Sequence, residues 1–425
     1  MARIGVVGAG YVGLTTAACF ARLGHTVVCA DVDEAKVAAL GRAEVGAHEP
    51  GLAELVGEGL RDGRLRFVLG NAAALSDVDF VFLCVPTPTG PDGAADLTAV
   101  HAVLREARDA VPPGCVLVIK STVPAGTTER VAELVGRSDV QVVSNPEFLR
   151  EGHAVDDFLR PQRVVVGAEA EEAARRVVAL YEGTGAPALV TRSASAELVK
   201  YASNCFLAMK LSYVNSLAEL CEQVGADIAD VTEGMRLDDR IGASFLEPGP
   251  GWGGSCFPKD TRALLSTAED AHVDFPLLRA TIGTNGHQAH RVVAMVRDAV
   301  GPLPLDGARL GLLGLTFKAG TDDLRDSPAL AVAGLLAEEG ARLTGYDPCV
   351  SADCGPVRVL ESPEAVARDA DGLVVLTEWP EFAELDWPNL AALMTAPVIV
   401  DTRNLLPADK VTEAGFHLVS LGRPA

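Results

Sequence analysis

The chain is 425 residues long, enough for two or three domains. Hydrophobic residues make up 48% and aromatics only 5%, which describes an aliphatic globular protein. A formal net charge of −22 excludes nucleic acid or an anionic membrane as a general partner, because such binding needs a basic surface. An anionic small molecule held by a few cations and backbone amides stays open. The nine cysteines are scattered, without Cys-x-x-Cys or zinc spacing, so no metal site is expected. Cys19, Cys29, Cys84 and Cys205 lie in apolar stretches and read as small buried hydrophobes, which suits a reducing cytoplasm. Arg3 already leads into the first strand, so no signal peptide is expected, and the apolar runs are too short for a membrane span.

Residues 3–8 read as a buried strand and Tyr11 to Leu23 as the helix after it, with a second strand over Thr26 to Ala30. Further apolar runs follow at Asp79–Val85, Val116–Lys120, Asp139–Val143 and Arg163–Gly167. Strands alternating with helices predict an α/β fold with a doubly wound parallel sheet. Several strands end in polar loops with proline: Pro86-Thr87-Pro88, Ser121-Thr122-Val123-Pro124 and Asn145-Pro146-Glu147. Ligands of such sheets bind beyond the carboxyl ends of the strands, so these loops should converge. From Ser195 to Val224 the pattern predicts one long amphipathic helix, with Leu198, Ala202, Cys205, Met209, Leu217 and Cys221 at helical intervals. It suits a connector between domains and a dimer surface. After a Pro/Gly junction at Gly301 to Asp306 the alternation restarts, with strands at Leu310–Leu315, Arg342–Tyr346, Leu373–Thr377 and Val398–Asp401. The expected organisation is two Rossmann-like domains, 1–194 and 301–425, joined by a helical middle, 195–300.

Gly8-Ala9-Gly10-Tyr11-Val12-Gly13 follows a strand and opens a helix, which is the context a dinucleotide fingerprint requires. The first glycine makes the turn, the second lets a pyrophosphate approach, and the third allows close helix packing. Asp31 closes the second strand, where a carboxylate accepts ribose hydroxyls and repels a 2′-phosphate, so NAD is favoured over NADP. Lys36 reads equally as a cofactor contact or a solvated helix cation.

The most reactive-looking segment is Gly249-Pro250-Gly251-Trp252-Gly253-Gly254-Ser255-Cys256-Phe257-Pro258-Lys259-Asp260. Glycines let a backbone come close to a ligand, and a cysteine beside a cation is a candidate nucleophile. A buried structural thiol is the alternative for Cys256. Lys200 and Asn204 are four apart on the long helix and share a face, where they could steady an oxyanion; a solvated lysine is the commoner case. Glu147 and Glu151 also read as charges at a helix N-terminus, and Asp322, Asp323 and Arg325 as an exposed cluster.

Taken in order, these segments resemble the UDP-glucose/GDP-mannose dehydrogenase family over nearly the whole chain. The match runs from Gly8–Leu14 through Val85–Pro88, Ser121–Pro124, Asn145–Gly152, Lys200 with Asn204, and Gly249–Asp260. It ends with Gly314-Leu315-Thr316-Phe317-Lys318 and Thr321-Asp322-Asp323-Leu324-Arg325. The resemblance implies an enzyme that oxidises the C6 alcohol of a nucleotide-sugar to a carboxylate with two NAD, and the Ser255–Asp260 wording favours UDP-glucose. Asp260 would act as base through water, and Cys256 would form a thiohemiacetal and then a thioester. Glu147 would place the hydrolytic water, and Lys200 and Asn204 would steady oxygen anions. Tyr11, Val12, Asp31, Lys36, Thr122, Glu151, Lys259 and Arg325 match cofactor-contacting positions. Glu147, Phe148, Leu149, Arg150, Glu151, Lys200, Asn204, Phe245, Leu246, Glu247, Pro248, Gly249, Gly253 and Lys318 match positions that hold the sugar nucleotide. Arg240 resembles an arginine that reaches a sugar site across a homodimer interface, and reads equally as a helix-end cation.

Pro250 and Trp252 depart from the family pattern, which bears on substrate fit. The competing readings are a sister enzyme for GDP-mannose or a UDP-N-acetylhexosamine, a two-electron dehydrogenase, and a non-catalytic NAD-sensing dimer.

Overall fold

A computed structural model describes residues 1–46, 48–91, 93–301 and 305–424. Part of the junction read at Gly301–Asp306 therefore lies outside the described residues. The chain divides into two compact units. The first comprises residues 1–203 and 262–273, the second 204–261 and 274–425.

In the first unit, eight strands among the described residues form one sheet. They are β1 (Arg3–Val7), β2 (Thr26–Asp31), β3 (Leu65–Leu69), β4 (Phe80–Leu83), β5 (Val116–Ile119), β6 (Gln141–Ser144), β7 (Val164–Gly167) and β8 (Ala188–Thr191). Their order is β3-β2-β1-β4-β5-β6-β7-β8. The first six are parallel, with Arg3 opposite Thr26 and Val7 opposite Ala30. β7 meets β6 antiparallel at Ser144 and Gly167, then pairs parallel with β8. That reversal was not expected from the sequence. The central strands are buried on both faces, so they read as unbroken Val/Ile/Leu runs instead of alternating ones. The first helix (Tyr11–Arg22) buries Gly13 through Ala21 against one side of this sheet. Phe20 there packs among Phe82, Phe158 and Tyr181, with ring centroids 5.0–5.1 Å apart. Each such fully buried side chain contributes about 2 kcal/mol of transfer free energy.

The second unit has a sheet of six strands among the described residues. They are β9 (Arg309–Leu313), β10 (Arg342–Tyr346), β11 (Val357–Val359), β12 (Gly372–Val375), β13 (Val398–Asp401) and β14 (His417–Ser420). All pairings are parallel, in the order β11-β10-β9-β12-β13-β14. Both sheets reverse strand order beside their first strand, at β1/β4 and β9/β12, which is where doubly wound sheets open a ligand crevice.

The long helix runs from Ser193 to Val224, 32 residues or about 48 Å. It is not simply amphipathic. One face, including Ala196, Tyr201, Cys205, Ala208, Val214, Ala218 and Cys221, is buried. Leu198, Phe206, Tyr213, Leu220 and Val224 form a second apolar stripe that is exposed, from 44% at Leu198 to 65% at Val224. The sequence periodicity merged the two faces, because Leu198 belongs to the exposed one and Cys205 and Cys221 to the buried one. Among the described residues, no helix is long and apolar enough to cross a membrane.

Candidate active site

The first helix starts at Tyr11, with Gly10 at its N-cap, so its free amides face the end of β1. A side chain at Gly13 would place Cβ 1.8 Å from the Gly8 carbonyl oxygen, so only glycine permits this helix to lie so close to the turn. A Cβ at Gly10 would meet nothing within 4 Å, leaving open space over those amides. Asp31 ends β2 and accepts the Ala9 N–H at 2.9 Å and the Asp33 N–H at 3.1 Å. Lys36 lies 3.2 Å from the same carboxylate, so it is paired and not merely solvated. Burial pushes the Asp31 carboxyl up, but these amides and Lys36 outweigh it and hold its pKa below the ordinary value. A bare anion-binding helix end, open space at the second glycine and an ionised carboxylate at the ribose position together fit NAD.

The loops at the carboxyl ends of β4, β5 and β6 are tied together. Thr87 donates to the Thr122 carbonyl at 2.8 Å, and Ser121 to the Val85 carbonyl at 2.7 Å. Lys120, ending β5, is buried; its Nζ lies 3.3 Å from Asn145 Oδ1 and from the Tyr181 hydroxyl. Burial lowers its pKa to about 8. Asn145 also donates to the Val165 carbonyl at 2.8 Å, which fixes the start of the Asn145–Gly152 loop. Glu147 follows, 6% exposed, and its Oε1 lies 2.8 Å from Lys200 Nζ. The next helix begins only at Ala154, so Glu147 is not the exposed helix-end charge that the sequence allowed. Burial pushes the Glu147 carboxyl up, but the Lys200 charge, the Leu149 amide at 2.6 Å and Lys120 hold its pKa below the usual carboxylate value. Phe148 stacks with Arg163 4.0 Å from its ring centroid and has Lys200 at 5.6 Å. Arg150 pairs with Asp157, and Glu151 is half-buried in the turn that follows. One turn before Lys200, buried Glu197 accepts the Gly126 N–H at 2.6 Å and the Thr128 N–H at 2.7 Å. It thereby caps the helix Thr127–Val135 and clamps the long helix beside the β5 loop.

In the second unit, Cys256 is the N-cap of the helix Phe257–Asp270, its carbonyl accepting the Asp260 N–H at 2.8 Å. A helix N-terminus favours negative charge at that sulfur. Ser255 Oγ lies 3.5 Å from Cys256 Sγ. Asp260 is fully buried, its two oxygens held by Asn204 Nδ2 at 2.6 Å and Lys259 Nζ at 2.6 Å. The other eight cysteines all have pKa values raised by burial, Cys84, Cys115 and Cys205 to about 12.

The glycine-rich loop is suspended from its neighbours. Gly249 donates to Asn215 at 2.9 Å and accepts from Gln288 at 2.7 Å. Trp252 is buried, its indole donating to Ser212 at 2.9 Å while its backbone exchanges two bonds with Asn285. The bulky residue therefore braces the loop from behind. Gly254 has φ +80 and its N–H donates to the Arg325 carbonyl at 3.1 Å; a Cβ there would lie 2.7 Å from the Phe317 ring. Phe245 is held in the left-handed region, φ 62, where a bulky residue is strained. Leu246 anchors that stretch in the core, and Glu247 pairs with Arg236 at 2.5 Å. Lys318 stands over Phe317, and Arg325 pairs with Asp323. Arg240 is exposed and pairs with Asp238.

Two residues at these edges were missed by the sequence reading. Arg403, after β13, donates to the Leu376 carbonyl at 2.9 Å, and its guanidinium is 2.9 Å from where a Gly249 Cβ would stand. Glu49 organises the far end of the Asn145–Gly152 loop. A polar residue directly after an apolar strand was the available signal for Arg403; Glu49 had none.

Comparisons with known proteins give the family of the chain. Residues 2–184, 194–287 and 311–408 match, respectively, the NAD binding, central and UDP binding domains of the UDP-glucose/GDP-mannose dehydrogenase family. The chain belongs to that family. It is 44% identical to the UDP-glucose 6-dehydrogenase of Rhizobium meliloti, over 99% of this chain and 100% of that one. It is 41% identical to one from Bacillus subtilis, covering 100% and 94%. A solved UDP-glucose dehydrogenase from Pyrobaculum islandicum superposes with a TM-score of 0.90 at 38% identity, covering 100% and 98%. This family member is an NAD-dependent dehydrogenase.

Proposed function

We propose that the protein oxidises the C6 alcohol of UDP-glucose to the carboxylate of UDP-glucuronate in two steps. The observation that carries this reading is the Cys256 helix end, with the buried Asp260 carboxylate held between Lys259 and Asn204 one turn into the helix. Full-length likeness to enzymes named UDP-glucose 6-dehydrogenase supports the substrate.

The family resemblance assigns Phe148–Arg150, Phe245–Gly249, Gly253 and Lys318 to the sugar nucleotide, and Arg403, beside Gly249 and paired with Glu378, adds a guanidinium to the second unit's share. Asp260 accepts the C6 hydroxyl proton through a water as the C–H electron pair departs. NAD, when bound, is the hydride acceptor for each oxidation. The Cys256 thiolate then adds to the aldehyde carbon, forming a C–S bond and placing the charge on oxygen, where Lys200 and Asn204 stabilise it. Loss of the second hydride leaves a thioester. A water positioned by Glu147 attacks it, the C–S bond breaks, and the thiolate is restored. Per sugar, one water is consumed, two hydrides leave and three protons are released.

Several coarser assignments belong to the same proposal. These are the 1–194, 195–300 and 301–425 division of labour, a cytoplasmic location, and a homodimer through the exposed stripe of the long helix with Arg240 reaching the partner's site. Five exposed apolar side chains along one side of the helix support the dimer, since apolar rows on a helix surface tend to mark contact faces.

The test is NADH formed per sugar, with UDP-glucose, UDP-galactose, GDP-mannose and UDP-N-acetylhexosamines offered separately. Two NADH per UDP-glucose are expected, and Cys256→Ser should lose acid formation by at least about 10³-fold. Two NADH from another sugar would move the substrate assignment; one or none would remove Cys256 from the mechanism.

A further inference from the structure

Glu49 precedes the helix Leu52–Arg61 and is 7% exposed. Its Oε1 accepts the Ala154 N–H at 2.7 Å, and its Oε2 accepts the Gly152 N–H at 2.7 Å together with the Tyr11 hydroxyl. The same hydroxyl lies 3.3 Å from the Arg150 carbonyl oxygen. Burying a carboxylate is costly unless hydrogen bonds replace its water, and three donors do so here. Burial and the neighbouring carboxylate push the Tyr11 hydroxyl's pKa up, so it remains a proton donor.

The two ends of this contact have different duties. Tyr11 is the first residue of the helix whose N-terminus would meet the pyrophosphate of a bound NAD. Gly152 and Ala154 close the loop that carries Glu147, Phe148 and Arg150. A dinucleotide that fixes the first turn of the helix also fixes the Tyr11 side chain, and through Glu49 the backbone of that loop. The ordering cost of the loop is then met once, by whichever ligand binds first.

We propose that Tyr11 and Glu49 are a positioning pair that couples NAD binding to the sugar-nucleotide loop, so that each ligand raises the affinity of the other. This rests on the reading of the site as one for NAD and a UDP-sugar. Reciprocity follows from thermodynamic linkage. Neither side chain needs to touch reacting atoms.

The test is calorimetric titration of the full-length protein with UDP-glucose, without and with saturating NADH, a pair that cannot turn over. Wild-type affinity for UDP-glucose should rise at least about fivefold with NADH. In Tyr11→Phe and in Glu49→Gln the gain should fall below about twofold, and the double variant should lose no more than either single one. A purely structural role would lower Tm and weaken both ligands while leaving the ratio intact, and that result overturns the proposal. So does a wild-type ratio of one, with both ligands binding. No UDP-glucose binding by wild type, with NADH bound normally, would sink the substrate reading and this inference with it. Tyr11→Phe removes only a hydroxyl, so it carries the test if Glu49→Gln does not fold.

Discussion

The two sheets share a strand order around their first strand and a carboxylate at the end of the second, yet they use it in opposite ways. After Gly8 the helix begins at once, at Tyr11, and buried Asp31 pairs with an exposed lysine, Lys36. After Gly314 the helix does not begin until Pro328, and the intervening loop bonds back on itself, Phe317 N to the Asp323 carbonyl and Ser327 to the Leu315 carbonyl. There Asp347 Oδ2 accepts from Leu315 N at 2.8 Å, from Thr316 N and Oγ1 at 3.0 Å, and from the Trp379 indole at 3.0 Å. Its other oxygen takes the Cys349 N–H at 2.9 Å. Asp31 takes two backbone amides and one lysine, whereas Asp347 takes five donors from its own domain. The edges diverge further along, with Glu147 beyond β6 and Arg403 beyond β13. One topology thus yields a dinucleotide site where the turn is short, and a loop-built seat with a guanidinium where the turn is long.

Replacing each carboxylate separates the two uses. Asp347→Ala should cost about 4 kcal/mol by leaving buried donors unpaired, read as a lower midpoint in urea, with the KM for NAD unchanged. An unchanged midpoint would break the contrast. Glu147→Gln removes the carboxylate paired with the buried Lys200 charge and should cost about 3 kcal/mol at pH 7. Because the Glu147 pKa is lowered from 4.5 on folding, its contribution is complete above that value and is lost as pH falls through the lower folded one. The gap between variant and wild type should therefore close below about pH 4.5, as urea midpoints across pH would reveal. Asp31→Ser should raise the KM for NAD about tenfold and narrow the preference over NADP, with the smallest change in stability. A larger stability loss than for Asp347→Ala would reverse the assignment.

Much of this was legible in the sequence because central strands buried on both faces leave continuous apolar runs, and the glycine turn sits between a strand and a helix. The edge strands β3, β8, β11 and β14 were not. Arg66, Arg358 and His417 interrupt their patterns, and Ala188–Thr191 is largely exposed. Cys256, Lys200, Asn204, Asp260 and Glu147 could be named from motifs, but the pairings Glu147–Lys200 and Asp260–Asn204 could not, since they join residues far apart in the chain. Glu49 is the extreme case. Its amide partners lie 103 and 105 positions away, a separation at which no local pattern survives.

The contrast among the thiols reaches beyond catalysis. Eight cysteines are kept protonated by burial, and only the thiolate reacts readily with electrophiles and peroxides. Burial slows such reactions at those eight, so the half-exposed sulfur at the head of the Phe257–Asp270 helix is the expected first target. Under the proposed mechanism, oxidation there would stop acid formation while leaving the architecture standing.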